Sequence, residues 1–185
     1  MKKQLLSLGT FVTALLISSL GWTETGSNTF VQPRPVQSQD ELKAHISAFL
    51  GGNSPEGSSR TGTEYGLDIG FQPMIPFSAG VEINHNTYQN DNEDTQDRYN
   101  LLLKGAYNFG GDIPVVKNSY VGLGAGVAMI NSIGYLVSAP MLGFDIPVTK
   151  VEGKTLSLGA LAKYTIYEGD KPDSFSLSGV VKYWF

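Results

Sequence analysis

From residue 42 to residue 185 apolar and polar positions alternate with a period of two, in runs broken by glycine, proline, asparagine and aspartate. An extended strand sends successive side chains to opposite faces, so each run predicts one strand with an apolar and a polar face. The first sets Leu42, Ala44, Ile46, Ala48 and Leu50 against Lys43, His45, Ser47 and Phe49, and stops at Gly51-Gly52. The second alternates Tyr65, Leu67, Ile69 and Phe71 with Glu64, Gly66, Asp68 and Gly70 before a turn through Pro73 and Pro76. The third places Phe77, Ala79, Val81, Ile83 and His85 against Ser78, Gly80, Glu82, Asn84 and Asn86. After a polar segment from Tyr88 to Asp97, the fourth alternates Tyr99, Leu101, Leu103, Gly105, Tyr107 and Phe109 with Asn100, Leu102, Lys104, Ala106 and Asn108. A turn through Gly110, Gly111 and Pro114 leads to the fifth, where Val121, Leu123, Ala125, Val127 and Met129 oppose Gly122, Gly124, Gly126 and Ala128.

The sixth run, Leu136 to Ile146, is apolar on both faces and contains Pro140, which has no N–H for a ladder. A bulge near Pro140 is the expected relief. The seventh sets Leu156, Leu158, Ala160, Ala162, Tyr164 and Ile166 opposite Ser157, Gly159, Leu161, Lys163 and Thr165. In the eighth, Phe175, Leu177, Gly179, Val181, Tyr183 and Phe185 alternate with Ser176, Ser178, Val180, Lys182 and Trp184. Eight antiparallel strands of this length, joined in order, predict an all-β up-and-down barrel able to cross a bilayer at a tilt.

The two rows differ in kind. Lys43, Glu64, Asp68, Glu82, Lys104, Asp145, Lys163 and Lys182 all fall in the row that also collects the glycines, and the apolar row of these runs holds no Asp, Glu, Lys or Arg. An eight-stranded barrel has room inside only for its own side chains, and a charge facing lipid at mid-bilayer costs ~2–4 kcal/mol. The glycine and charge row therefore faces inward, as a network of four acids and four lysines. Aromatic residues sort by strand end: Phe71, Phe77, Tyr107, Phe109, Phe144, Tyr183 and Phe185 beside one set of connections, Tyr65, Tyr99, Tyr164 and Phe175 beside the other. That predicts two girdles at two membrane interfaces.

Composition narrows the function classes. With no cysteine there is neither a disulfide framework nor a thiolate metal site. The formal charge of −4, from 13 basic and 17 acidic residues without a basic run, argues against a nucleic-acid partner. Lys2 and Lys3, the apolar run Leu5 to Leu20 and the small-x-small site Ser19-Leu20-Gly21 have the layout of a secretory signal peptide over 1–21. Its removal takes the basic count from 13 to 11 and the net charge from −4 to −6. Residues 22–40, polar and carrying Pro33 and Pro35, read as a flexible periplasmic segment, leaving 41–185 as the barrel domain.

The final aromatic Phe185, with Tyr183 and Val181 before it, resembles the C-terminal signal of bacterial outer-membrane β-barrels. With eight strands, the chain resembles the small outer-membrane family typified by the OmpA transmembrane domain and OmpX. The resemblance implies outer-membrane residence, contact with lipid and lipopolysaccharide, and Val181, Tyr183 and Phe185 as a signal read by the barrel-assembly machinery. The connections Gly52 to Gly62, Tyr88 to Asp97, Ile130 to Gly134 and Glu168 to Asp173 would face outward, and both chain ends the periplasm.

The expected role is non-enzymatic: envelope integrity or surface interaction, by a monomer that meets ligands through its loops, with no cofactor. Two alternatives stand beside it. His45 and Ser47, two apart on one strand face, resemble the His-x-Ser pair of outer-membrane lipid A deacylases, but they point inward and no acid is evident to orient the histidine. A soluble exported barrel, with the apolar row inside around a small hydrophobic ligand, is the other. His85 reads as an interfacial polar residue. The segment Asp91 to Asp97 reads as a solvated loop, lacking glycine at the sixth position and glutamate at the twelfth of a calcium loop. No metal site and no catalytic residue are assigned.

Overall fold

The computed structural model describes residues 43–57, 60–74, 76–89, 95–109 and 113–185. The leader 1–21, the segment 22–40, Leu42 and the acidic stretch 91–94 lie outside the described residues. Eight strands follow in chain order: β1 Lys43–Pro55, β2 Gly62–Met74, β3 Phe77–Gln89, β4 Thr95–Asn108, β5 Ser119–Ile130, β6 Ile133–Val151, β7 Lys154–Tyr167 and β8 Ser174–Trp184. Each pairs antiparallel with the next, and β8 pairs with β1 from His45↔Trp184 to Pro55↔Ser174, closing the sheet into a barrel. Closure leaves no strand edge unpaired.

The period-two pattern sets the two faces. Outward positions such as Leu50, Leu67, Leu103 and Leu142 are more than half exposed, whereas their strand neighbours Phe49, Asp68, Leu102 and Met141 are buried. Glycines on the inward row make room for rings directly across the ladder. Phe49 is paired with Gly66, and a Cβ on that glycine would lie 2.5 Å from the Phe49 ring. Tyr120 has the same relation to Gly143. The lumen is two-sided: Ala128, Ile130, Val137, Ala139 and Met141 of β5 and β6 form an apolar wall, while Glu64, Asp68, Glu82, Asn84 and Asn86 of β2 and β3 form a polar one.

Several sequence expectations change. β1 does not stop at Gly51-Gly52; both glycines stay in the ladder, paired with Glu64 and Thr63, and the strand runs to Pro55. Between β3 and β4 the described ends of the polar segment continue the two strands, since Tyr88 pairs with Gln96 and Thr87 with Asp97. The β5–β6 connection is only the two-residue turn Asn131-Ser132, with φ of 50° and 67°. Glu152-Gly153 makes a similar turn between β6 and β7, with φ of 51° and 82°. Positive φ at both central residues matches the twist of a right-handed hairpin. The β4–β5 connection contains one helical turn, α1 Pro114–Lys117, with proline at its first position.

The expected bulge near Pro140 is not there. β6 pairs with β7 as Ser138↔Ile166 and then Met141↔Lys163, so the register is unchanged and the ladder omits Ala139 and Pro140. The bulge comes later, between Pro147 and Thr149. Pro140 faces outward and keeps its pairing with Leu123 of β5. A missing N–H is accommodated by a two-residue gap in one ladder, without an inserted residue.

Candidate functional site

The inward charges converge. Asp68 and Glu82 lie directly opposite each other on β2 and β3, an arrangement that repels unless a cation intervenes. Lys104 of β4 supplies it, with Nζ 2.7 Å from Asp68 Oδ1 and 3.1 Å from Glu82 Oε2. Lys163 of β7 reaches across the lumen, its Nζ 2.5 Å from Glu64 Oε1 and 2.5 Å from Glu82 Oε1. Asp68, Lys104, Glu82, Lys163 and Glu64 thus form one continuous chain of ion pairs. Asn84 Nδ2 donates to Glu82 Oε1 at 2.8 Å, and Asn100 Nδ2 donates to Asn84 Oδ1 at 2.7 Å. Burial raises the cost of any unpaired charge, and these pairs offset it.

Lys182 pairs separately with Asp145 and lies beneath the Tyr120 and Trp184 rings, at 5.0 and 5.4 Å from their centroids. The side chain of Lys43, the remaining member of the expected network, lies outside the described residues. Arg98, absent from the sequence reading, joins the interior: it is fully buried, donates from Nη1 to the Pro172 carbonyl at 3.1 Å and stacks 4.5 Å over Tyr167. Extending the fourth alternation by one residue would have found it, since Arg98 precedes Tyr99 on the inward row.

His45 and Ser47 do have an acid beside them. His45 Nε2 donates to Asp68 Oδ2 at 2.9 Å, and Ser47 Oγ donates to the same oxygen at 3.1 Å. The sequence reading missed this because Asp68 comes from the next strand. Yet the order is wrong for nucleophile activation, which needs the serine hydroxyl to meet the imidazole and the imidazole to meet the acid. All three side chains are buried inside the barrel. A cavity of about 30 Å³ adjoins His45 and Asp68, lined in part by Lys104, Tyr120, Lys182 and Trp184. It is water-sized.

On the outside, His85 sits between Tyr65 and Tyr99, with ring centroids 5.0 and 4.5 Å away, and Nε2 donates to Asp97 Oδ1 at 3.1 Å. Asp97 is therefore a charge on the outward row, which the shorter predicted fourth strand had left free of charge. It stands at the strand end, beyond Tyr99. At the end that carries the start of β1 and the end of β8, Phe77 and Tyr107 meet edge to face at 5.4 Å, Tyr107 and Phe109 at 5.5 Å, and Tyr183 and Phe185 at 5.2 Å. Phe71 and Phe144 are exposed there too, and Val181 is exposed on the same face of β8. The backbone of Phe185 donates to the Ala44 carbonyl at 3.0 Å, extending the closing seam. Near the opposite end Phe175 is exposed, while the Tyr164 hydroxyl donates to Glu56. The Glu56 amide donates to the Asp173 carbonyl at 2.7 Å, joining the first and last connections. Among the described residues no three His, Asp or Glu side chains group as a metal site.

A closed eight-stranded barrel, apolar outside and charged within, is the architecture of the small outer-membrane β-barrels. No protein-family model and no curated protein match the chain. Among solved structures it is similar to Neisserial surface protein A (NspA), at 17% identity and a TM-score of 0.51, over 76% of this chain and 95% of that one. The outer membrane protein OprG from Pseudomonas aeruginosa matches at 12% identity and a TM-score of 0.42, over 78% and 96% of the two chains. The outer membrane enzyme PagL matches at 15% and 0.44, over 75% and 97%. At these identities the likeness is one of fold.

Proposed function

We propose that the protein is a bacterial outer-membrane barrel that crosses the bilayer with its termini in the periplasm and serves envelope integrity or surface interaction through its far connections. The observation that carries this reading is the inverted polarity of the wall. Large apolar side chains from all eight strands stand exposed on the outside, and the charges pair inside. In water each such side chain would forgo ~1.5–3 kcal/mol of burial, and the belt far exceeds the apolar patches that soluble monomers tolerate. In lipid it is the required surface. The soluble alternative needed the apolar row inside. The lipid-modifying alternative rested on His45 and Ser47, which lie buried inside on one shared carboxylate oxygen. Export through the leader 1–21, delivery by the assembly machinery through Val181, Tyr183 and Phe185, and contact with lipopolysaccharide belong to the same proposal.

Fractionation tests the location. The protein should be recovered in outer membranes and should migrate differently on SDS gels before and after boiling; recovery in the soluble periplasm without a mobility shift would overturn the reading. Orientation is a separate measurement, and the absence of native cysteine makes it clean. On intact cells an impermeant thiol reagent should label Asn131→Cys and spare Glu152→Cys. The reverse pattern would invert the topology.

A further inference from the structure

The β6–β7 seam carries a feature that an inert wall does not need. Where the ladder omits Ala139 and Pro140, an apolar groove of about 280 Å³ lies open on the outer surface. Its outward lining is Pro140, Leu142, Ala162, Tyr164 and Phe175, and Met141 and Lys163, whose side chains point into the lumen, complete it. Ala162 is the small residue between Leu142 on β6 and Leu177 on β8, so the belt dips there. Tyr164 and Phe175, paired across β7 and β8, stand at one end of the dip.

We infer that this groove is a fixed seat for one acyl chain of a membrane lipid. The inference rests on the reading that the outward face meets lipid. Three observations choose the occupant. The groove opens within the apolar belt and presents no exposed charge, so it suits hydrocarbon. It is roughly twice the size of an ~150 Å³ apolar cavity that takes up benzene, enough for a stretch of chain but not for a packed side-chain interface. It also runs from a tyrosine and a phenylalanine toward the aliphatic Leu142, so a lipid would place its polar part beside the aromatics and its chain below them.

The test is native mass spectrometry of the full-length exported protein, purified from outer membranes in detergent, stripped of lipid and then offered lipid A, the acylated anchor of lipopolysaccharide. Ala162→Phe fills the groove, and Ala125→Phe adds the same bulk to the outward face of β5. Wild type and Ala125→Phe should retain a single lipid, and Ala162→Phe should bind it at least about tenfold more weakly. Equal retention by all three, or no retention by wild type, would overturn the inference. So would a second copy of the barrel in place of lipid, dispersed by Ala162→Phe. The heat-dependent mobility shift confirms folding of each variant, and Ala162→Leu replaces Ala162→Phe if the larger ring prevents it. A protein found outside the membrane, by contrast, would fail the functional reading and not the groove alone.

Discussion

Lys163 is the residue on which most depends, because it is 1% exposed and holds two glutamates from the opposite wall. Removing one partner of a buried pair leaves the other charge without compensation, at ~3–5 kcal/mol. Lys163→Met should therefore lower stability by that order in urea titrations of the barrel in detergent. The two glutamates are not equivalent. Glu82 keeps Lys104, whereas Glu64 has Lys163 as its salt-bridge partner, so adding Glu64→Gln to Lys163→Met should recover more than adding Glu82→Gln. Equal recovery would mean that the network shares its charge more evenly than the distances imply. Packing gives a second prediction at this scale. Gly66→Val should destabilise by ~1–3 kcal/mol through collision with both the Ile83 carbonyl and the Phe49 ring, and combining it with Phe49→Ala should cost less than the sum of the two single losses, because only the ring's share of the collision is removed. The unfolding midpoints of the two single variants and the double variant decide it.

Turns show what strands require of their ends. Gly153 has φ of 82° with open space around its Cα, so Gly153→Ala should cost ~1–2 kcal/mol from backbone strain alone. Ser132 holds φ of 67° with a side chain, and Ser132→Gly should gain stability by a similar route. Opposite shifts of the two midpoints would bear this out, and shifts of one sign would not. Strand existence was legible from the sequence because one face had to be apolar and the other could not be. Strand ends were less so: Asn53 and Pro55 continue β1, but no apolar partner marks the alternation there. Pro140 correctly signalled trouble in β6, yet its remedy depends on what β7 offers opposite, which no single run reveals. The pairing list was illegible for a related reason. Lys163 and Glu82 are 81 residues apart and meet only because the barrel is narrow enough for one side chain to reach the far wall.

For the whole molecule, a lumen crossed by Lys163 and flanked by paired charges leaves no continuous wide water column. The pure protein in planar bilayers should show no large, steadily open channels; steady porin-sized currents would contradict the cross-lumen contacts. Closure has a further consequence, in the order of events by which the barrel comes to exist. β1 pairs with β8, so the contact that completes the wall joins residues more than a hundred positions apart, and the clasp between Glu56 and Asp173 sits on that same seam. A long loop adds only slowly to the entropy of closure, but nothing rewards that cost until the last strand arrives. Seven strands would present two open edges that hydrocarbon cannot satisfy. In the membrane setting proposed above, insertion and closure are then a single cooperative step. Once shut, parting β1 from β8 means breaking the whole seam and its clasp together, so reopening there is slow and the barrel's lifetime becomes a matter of rate as well as of equilibrium.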